Sequence, residues 1–245
     1  VSTASIAIQQ LCRSLLRRDT LSDQEMRILA GLRQVEAHFK KGADIIEEHS
    51  RPTASCLLVS GLTARAISLA DGRRQLTALH VPGDFVDLHA LLLRKMDHSV
   101  MALTECRVVF VPHPDLVAIT ENAPHLTRLL WLSTTVDAAI QREMIASVGR
   151  RTPLQHLAHT ICELYLRLEV VGLAESGKFR FAITQSELAD VLGLSLVHTN
   201  RTVQDLRATG LVQWSQTDVQ ITDMDRLTWL AGFDPTYLNL SSEPR

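Results

Sequence analysis

The stretch Thr184-Gln185-Ser186-Glu187-Leu188-Ala189-Asp190-Val191-Leu192-Gly193-Leu194-Ser195-Leu196-Val197-His198-Thr199-Asn200-Arg201 carries more structural information than any other part of the chain. Thr184 has the side chain of a helix N-cap, and Glu187 three residues on completes a capping box. Leu188, Ala189 and Leu192 then form the inner face of a short helix, and Gly193 ends it where a left-handed residue lets the chain reverse. Ser195 caps a second helix with Thr199, Val203 and Leu206 on one side, and Gly210 stops it. The runs 211–215 and 218–221 follow as a two-stranded wing. A small residue, a turn glycine and flanking apolar residues suit two helices crossing steeply through a short turn. An ordinary αα-hairpin is the plain alternative, but the capping box, turn glycine and following hairpin in this order favour a winged helix-turn-helix.

In such a motif the second helix enters the major groove. Its outward residues are Leu196, Val197, His198, Asn200, Arg201 and Gln204. Arg201 suits bidentate contact to guanine, Val197 a thymine methyl, and His198 and Asn200 a base or phosphate. Thr184, Gln185 and Ser195 complete the expected DNA-binding set. Each could instead be a solvated helix residue, Arg201 least of all.

Upstream, the period of the sequence changes twice. Residues 8–32 read as two short helices, the second capped at Leu21-Ser22-Asp23-Gln24-Glu25. Strand-like runs follow at 35–39, 44–47, 56–60, 63–69, 75–80, 99–103 and 107–111, separated by Lys41-Gly42, Ser60-Gly61, Asp71-Gly72 and Pro82-Gly83. Asp71-Gly72 between two alternating runs is a strong hairpin signal. Many short strands at this spacing predict a closed or sandwiched β domain. After Pro114 the helical period returns, and Pro124 starts a long helix to about Val148. Leu126, Leu130, Ser133, Val136, Ile140 and Met144 fall on one stripe of it. Such a stripe packs on its own domain or pairs with a second copy; the two-domain layout favours pairing. A further helix is expected from Pro153 to Val170. The fold class is therefore α+β. An N-terminal sensor domain with helices spans 1–120, a dimerisation helix 121–149 and a winged helix-turn-helix 150–245.

Composition limits the function. The 245 residues are 46% hydrophobic and 21% charged, with a net charge of −2, so DNA binding must come from a local cationic surface such as Arg150, Arg151, Arg201 and Arg207. The four cysteines, Cys12, Cys56, Cys106 and Cys162, have neither metal-site nor disulfide-framework spacing and read as free thiols. No run approaches the ~18 apolar residues of a membrane span, and Val1 to Gln10 lacks the pattern of a secretory signal. A cytoplasmic location is expected, with no membrane partner. An enzyme on a β scaffold would need a metal triad or a nucleophile with its base, and neither stands out.

With these elements placed, the chain resembles the Crp–Fnr family, the bacterial regulators typified by the cyclic-AMP receptor protein and the fumarate-nitrate reduction regulator. Lys41-Gly42, Ser60-Gly61, Pro82-Gly83-Asp84-Phe85, Ala102-Leu103-Thr104-Glu105-Cys106 and the helix-turn-helix carry the resemblance, over about 11–230. It implies a cyclic-nucleotide-binding-like β-roll, a double-stranded jelly roll. It also implies a homodimer paired through the long helix, a two-fold symmetric DNA operator and contact with RNA polymerase.

The departures from the family pattern matter as much. Leu88 and His98 stand where cyclic-nucleotide binders have a ribose-binding glutamate and a phosphate-binding arginine. Leu88 accepts no hydrogen bond, and His98 is mostly neutral and lacks the guanidinium fork. Cyclic AMP is not expected to bind. Only Cys12 lies near the N-terminus, so an iron–sulfur cluster is not expected either. No cofactor is predicted, though haem or another small effector stays open, with Phe85, Leu88, His89, His98 and Ser99 as its pocket. Many members carry a glutamate where Val197 stands and the cyclic-AMP receptor type an arginine where Leu196 stands, so the operator should differ while keeping the guanine read by Arg201. The hinge near Gly149-Arg150 would be the lever between the domains. Whether the protein activates or represses is not readable.

Overall fold

The computed structural model describes residues 5–93 and 95–243; residues 1–4 of the segment inspected for a secretory signal, and the ends of the two outer domain ranges, lie outside them. The chain divides into two compact units. The first comprises 1–65, 79–138 and 239–245, the second 66–78 and 139–238. The long helix is thus divided between them at Ala138 and Ala139.

The first unit begins with α1 (Ile6–Leu16) and α2 (Asp23–Ala30). Ser22 and Glu25 form the expected capping box on α2. Seven strands follow, with residues 66–78 of β4, β5 and their turn counted in the second unit: β1 (Val35–Phe39), β2 (Asp44–Ile46), β3 (Ala54–Ser60), β4 (Thr63–Ser68), β5 (Arg74–His80), β6 (Ser99–Ala102) and β7 (Cys106–Pro112). They make two sheets, ordered β1-β7-β3 and β2-β6-β4-β5. In the first, β7 lies antiparallel between β1 and β3. Strand β3 is buried on both faces, and its period of two divides it between two cores. Cys56 and Leu58 join Ile46, Val86, Val100 and Val108 inside the roll. Leu57 and Val59 join α1, α3 (His113–Asn122) and the start of α4 (Pro124–Arg150) outside it. Gly61 turns the chain between β3 and β4 at φ +95°, and a Cβ there would meet Glu105 O at 2.5 Å, so only glycine fits.

The second unit is built on α5 (Pro153–Val170), capped by a Thr152–Gln155 box and buried along most of its length. Around it lie β8 (Lys178–Arg180), α6 (Gln185–Leu192), α7 (Leu196–Ala208), β9 (Val212–Ser215), β10 (Asp218–Ile221) and α8 (Met224–Ala231). The wing has three strands, in the order β8-β10-β9, one more than the sequence suggested. Phe181 and Trp214 stack beneath it, with ring centroids 5.5 Å apart.

Candidate DNA-reading surface and sensor cassette

The helix-turn-helix has the local chemistry its sequence requires. The Thr184 hydroxyl accepts from the Glu187 N–H at 3.1 Å, while Glu187 Oε2 accepts from the Thr184 N–H at 2.6 Å. Gly193 takes the left-handed conformation, φ +66°, and the Leu194 N–H returns to Ala189 O at 3.1 Å. Ser195 Oγ accepts from the His198 N–H at 3.3 Å and starts α7. Thr199, Thr202, Val203 and Leu206 are buried, which fixes the rotation of α7 and decides what it presents.

What it presents is most of the predicted set. Val197 (81% exposed), His198, Arg201 and Gln204 share the open side of α7, and Thr184, Gln185 and Ser195 are exposed at the helix starts. Asn200 is placed differently. It is half-buried, and its side-chain oxygen is buried without a hydrogen-bond partner among the described residues. Leu196, also outward in the sequence, is exposed.

The predicted effector residues are not brought together. Leu88 is buried in the outer core of the β domain, with Phe85 packed against the same cluster. His89 and His98 instead face each other, ring centroids 5.2 Å apart, and Ser99 begins β6 beside His98. Their neighbours were missed in the sequence. Asp97 Oδ1 lies 2.6 Å from His98 Nδ1, and Arg65, whose side chain is 6% exposed, donates to Asp137 at 3.0 Å. An arginine inside the apolar run Leu62-Thr63-Ala64-Arg65-Ala66-Ile67 was the available signal, because such a residue needs a partner.

Burial, helped by the Arg65 charge, pushes His89 down to about 4, and burial lowers His98 in the same direction, so both imidazoles are neutral near pH 7. Neither Nε2 has a partner among the described residues. Burial raises Asp87 to about 7; one of its oxygens accepts from the Cys56 N–H at 2.6 Å and the other is unpartnered. The buried guanidinium of this region, Arg65, is paired with Asp137. Among the described residues no group of three or more His, Cys, Asp or Glu is placed to hold a metal ion, and no helix is long and apolar enough to cross a membrane.

The stripe expected to pair two copies is mostly buried within the chain itself. Leu126, Leu130, Val136 and Ile140 are all buried within the chain, and Ser133 and Met144 are half-buried. Leu126 and Leu130 on that face of α4 pack into the outer core. The opposite face carries Trp131 (71% exposed), Thr135, Ala138, Arg142 and Ile145 (72% exposed), spaced alternately four and three residues apart.

A two-sheet β-roll followed by a winged helix-turn-helix defines a DNA-binding regulator with a sensor of the cyclic-nucleotide type. Residues 36–123 match the cyclic nucleotide-binding domain family, and residues 155–229 match the Crp-like helix-turn-helix domain family. The chain belongs to the Crp/Fnr family of transcription regulators. It is 26% identical to the transcriptional activator protein FnrL of Cereibacter sphaeroides, over 84% of this chain and 85% of that protein. It is 25% identical to the transcriptional activator protein Anr of Pseudomonas aeruginosa, over 79% of each. Among solved structures, FixK2 from Bradyrhizobium japonicum superposes with a TM-score of 0.72 at 23% identity, covering 81% of this chain and 98% of that one.

Proposed function

We propose that the protein acts in the cytoplasm as a homodimer that reads a two-fold symmetric DNA operator with α7, under control of a sensor that does not use cyclic AMP. The observation that carries this reading is the exposed row Val197, His198, Arg201 and Gln204, held outward by the buried row Thr199, Thr202, Val203 and Leu206. Arg201 supplies the bidentate base contact. Thr184, Gln185 and Ser195, at two helix N-termini, take the DNA backbone. Two copies pair through Trp131, Thr135, Ala138 and Ile145, because exposed apolar residues at heptad spacing need a partner surface and an identical helix supplies one.

The cassette supports an effector other than a cyclic nucleotide. Arg65 is held by Asp137, Leu88 is part of a core, and the unpartnered imidazole nitrogens of His89 and His98 favour a small neutral ligand, with haem still open. No catalytic role is proposed. FnrL and Anr are named as activators, which supports contact with RNA polymerase at bound promoters.

The test is genomic selection of bound DNA by the purified chain at two salt concentrations. A symmetric site is expected whose binding weakens steeply with salt and on Arg201→Ala. Enrichment indifferent to Arg201 would reject α7 as the reading helix. Sedimentation of Trp131→Glu should show a monomer; an unchanged dimer would reject the α4 stripe.

A further inference from the structure

His125 stands in the first turn of α4 and meets the N-terminal segment through both of its ring nitrogens. Nδ1 lies 2.6 Å from Glu25 Oε1 on α2, and Nε2 lies 3.4 Å from Asp19 Oδ2 in the turn between α1 and α2. Each carboxylate spends its other oxygen on the local backbone. Glu25 Oε2 accepts from the Ser22 N–H at 2.8 Å, and Asp19 Oδ1 accepts from the Thr20 N–H at 2.6 Å. Both acids are thus fixed by their own helix or turn, and each turns its second oxygen to the ring.

A carboxylate only accepts, so a ring that bonds two of them must donate from both nitrogens. Neutral imidazole has one N–H and satisfies one acceptor; the imidazolium satisfies both. The geometry therefore calls for the charged form, and the electrostatics agree. The Glu25 hydrogen bond raises His125 above its ordinary value against the cost of burial, with Asp19 acting in the same direction. Burial opposes the Glu25 charge, but its bonds to Ser22 and His125 hold it below the usual carboxylate range. The Asp19 side chain has no exposed surface, so a donor lost there is not readily replaced by water.

Among the described residues, the charged groups facing the ring are Asp19 and Glu25; on α4 itself Arg128 follows one turn on. A cleft of about 360 Å³ opens beside the ring, with Ser22, Gln24 and Asn122 as neutral polar walls. The His125 side chain is 27% exposed, so its proton exchanges with the medium. What these contacts join is the edge of a core. Leu15 of α1, Leu29 of α2 and Leu126 of α4 share the outer core of the β domain, and His125 directly precedes Leu126.

We propose that His125 is a pH-sensitive clasp fastening the N-terminal helices to the start of α4. It closes on Asp19 and Glu25 when both ring nitrogens carry protons, and loosens when alkali removes one. Because folding raises the imidazole above its unfolded value near 6.5, the clasp is fully closed below that value. It opens as pH rises through the folded value. The sensor domain thereby answers to proton concentration without a bound effector. This holds however α7 meets DNA and however two copies pair.

The test uses the full chain at about pH 6 and about pH 8.5, on either side of an imidazole titration. Amide hydrogen exchange is expressed as protection factors, so that the intrinsic effect of pH cancels. Protection of α2 should fall about fivefold across this interval, the upper range for a partly exposed ion pair, while β3 and β7 keep theirs. His125→Gln, which cannot gain the charge, should show the lower protection at both pH values. His125→Arg, which cannot lose it, should stay protected at both. Glu25→Gln keeps the capping box, since glutamine serves at that position, and removes the charge. In that variant the His125 ring, followed by NMR, should titrate closer to its ordinary value than in the unaltered chain. A fall in protection of the same size in His125→Gln or His125→Arg overturns the clasp, as does a His125 titration that Glu25→Gln leaves in place.

Discussion

Arg65 and Arg74 leave the same hairpin, one from β4 and one from β5, and each meets an aspartate. The two pairs have similar geometry, 3.0 Å for Arg65–Asp137 and 2.6 Å for Arg74–Asp190, yet their surroundings differ. The Arg65 side chain is 6% exposed, while Arg74 is 32% exposed and Asp190 23%. Burial sets what a charge pair does. A guanidinium removed from water cannot lose its carboxylate without a large desolvation cost. One that water already reaches gives its partner up cheaply. The first pair is part of the fold, and the second is one the fold can lose at little cost.

The largest expected effect breaks the buried pair. Asp137→Ala removes the carboxylate paired with buried Arg65 and should cost about 3 kcal/mol in urea unfolding, the low end for buried pairs because Asp137 is partly exposed. Replacing both partners with apolar residues, Arg65→Met with Asp137→Leu, should recover most of that loss. If the double variant is no more stable than Asp137→Ala, desolvation is not the reason Arg65 needs its partner. Next in size is Arg201, an exposed arginine on α7. Arg201→Ala should leave stability unchanged and cost about 1–3 kcal/mol of operator affinity, read by anisotropy.

How legible these features were depends on how local their causes are. The helix-turn-helix could be read because its caps and turn glycine lie within a few residues of what they cap: Thr184 with Glu187, Gly193 with Ala189. The β-strands could be read from period and turns. The same local logic would have found α8, which starts at the Asp223 cap and ends at left-handed Gly232. The cassette could be read only in part. His89 and His98 are nine residues apart and were both placed in the expected pocket, whereas Arg65 and Asp137 are brought together by folding over a long sequence separation, and no nearby pattern specifies that pair. The α4 stripe shows a different limit of sequence reading. Its most apolar face, Leu126 to Ile140, is one the chain itself largely buries, and the exposure of Trp131 and Ile145 on the other side is set by the fold rather than by the periodicity.

Acid sharpens the comparison on the side of the buried groups. His89 falls to about 4, as burial penalises its charge, and burial likewise holds His156 at about 4 and His159 at about 3. An unfolded imidazole titrates near 6.5. Between pH 6.5 and about 4 the unfolded chain therefore binds protons that the folded one refuses, and stability falls as pH falls. His125 has the opposite sign. Its hydrogen bond to Glu25, 2.6 Å, raises it, so its contribution is full below 6.5 and is lost as pH rises through the folded value. Denaturation across pH 4–6.5 should show His89→Gln flattening the acid loss by on the order of 1 kcal/mol, after allowance for partial exposure. His125→Gln should flatten the loss on the alkaline side instead. A His89→Gln profile parallel to that of the unaltered protein would place its titration outside the folded core.

The smallest effect on stability should come from the more exposed pair. Arg74→Ala removes an ion pair that water already screens, so unfolding should change by less than about 1 kcal/mol. Arg65→Ala, on the same hairpin, should cost several times more, since it removes a buried side chain and leaves Asp137 without its partner. Urea denaturation of the two variants side by side measures the contrast. Equal losses would mean that Arg74 is as structural as Arg65 and that burial does not decide what each pair contributes. A small loss for Arg74 beside a large one for Arg65 would show that, on one hairpin, the depth of each arginine sets how much of the fold depends on it.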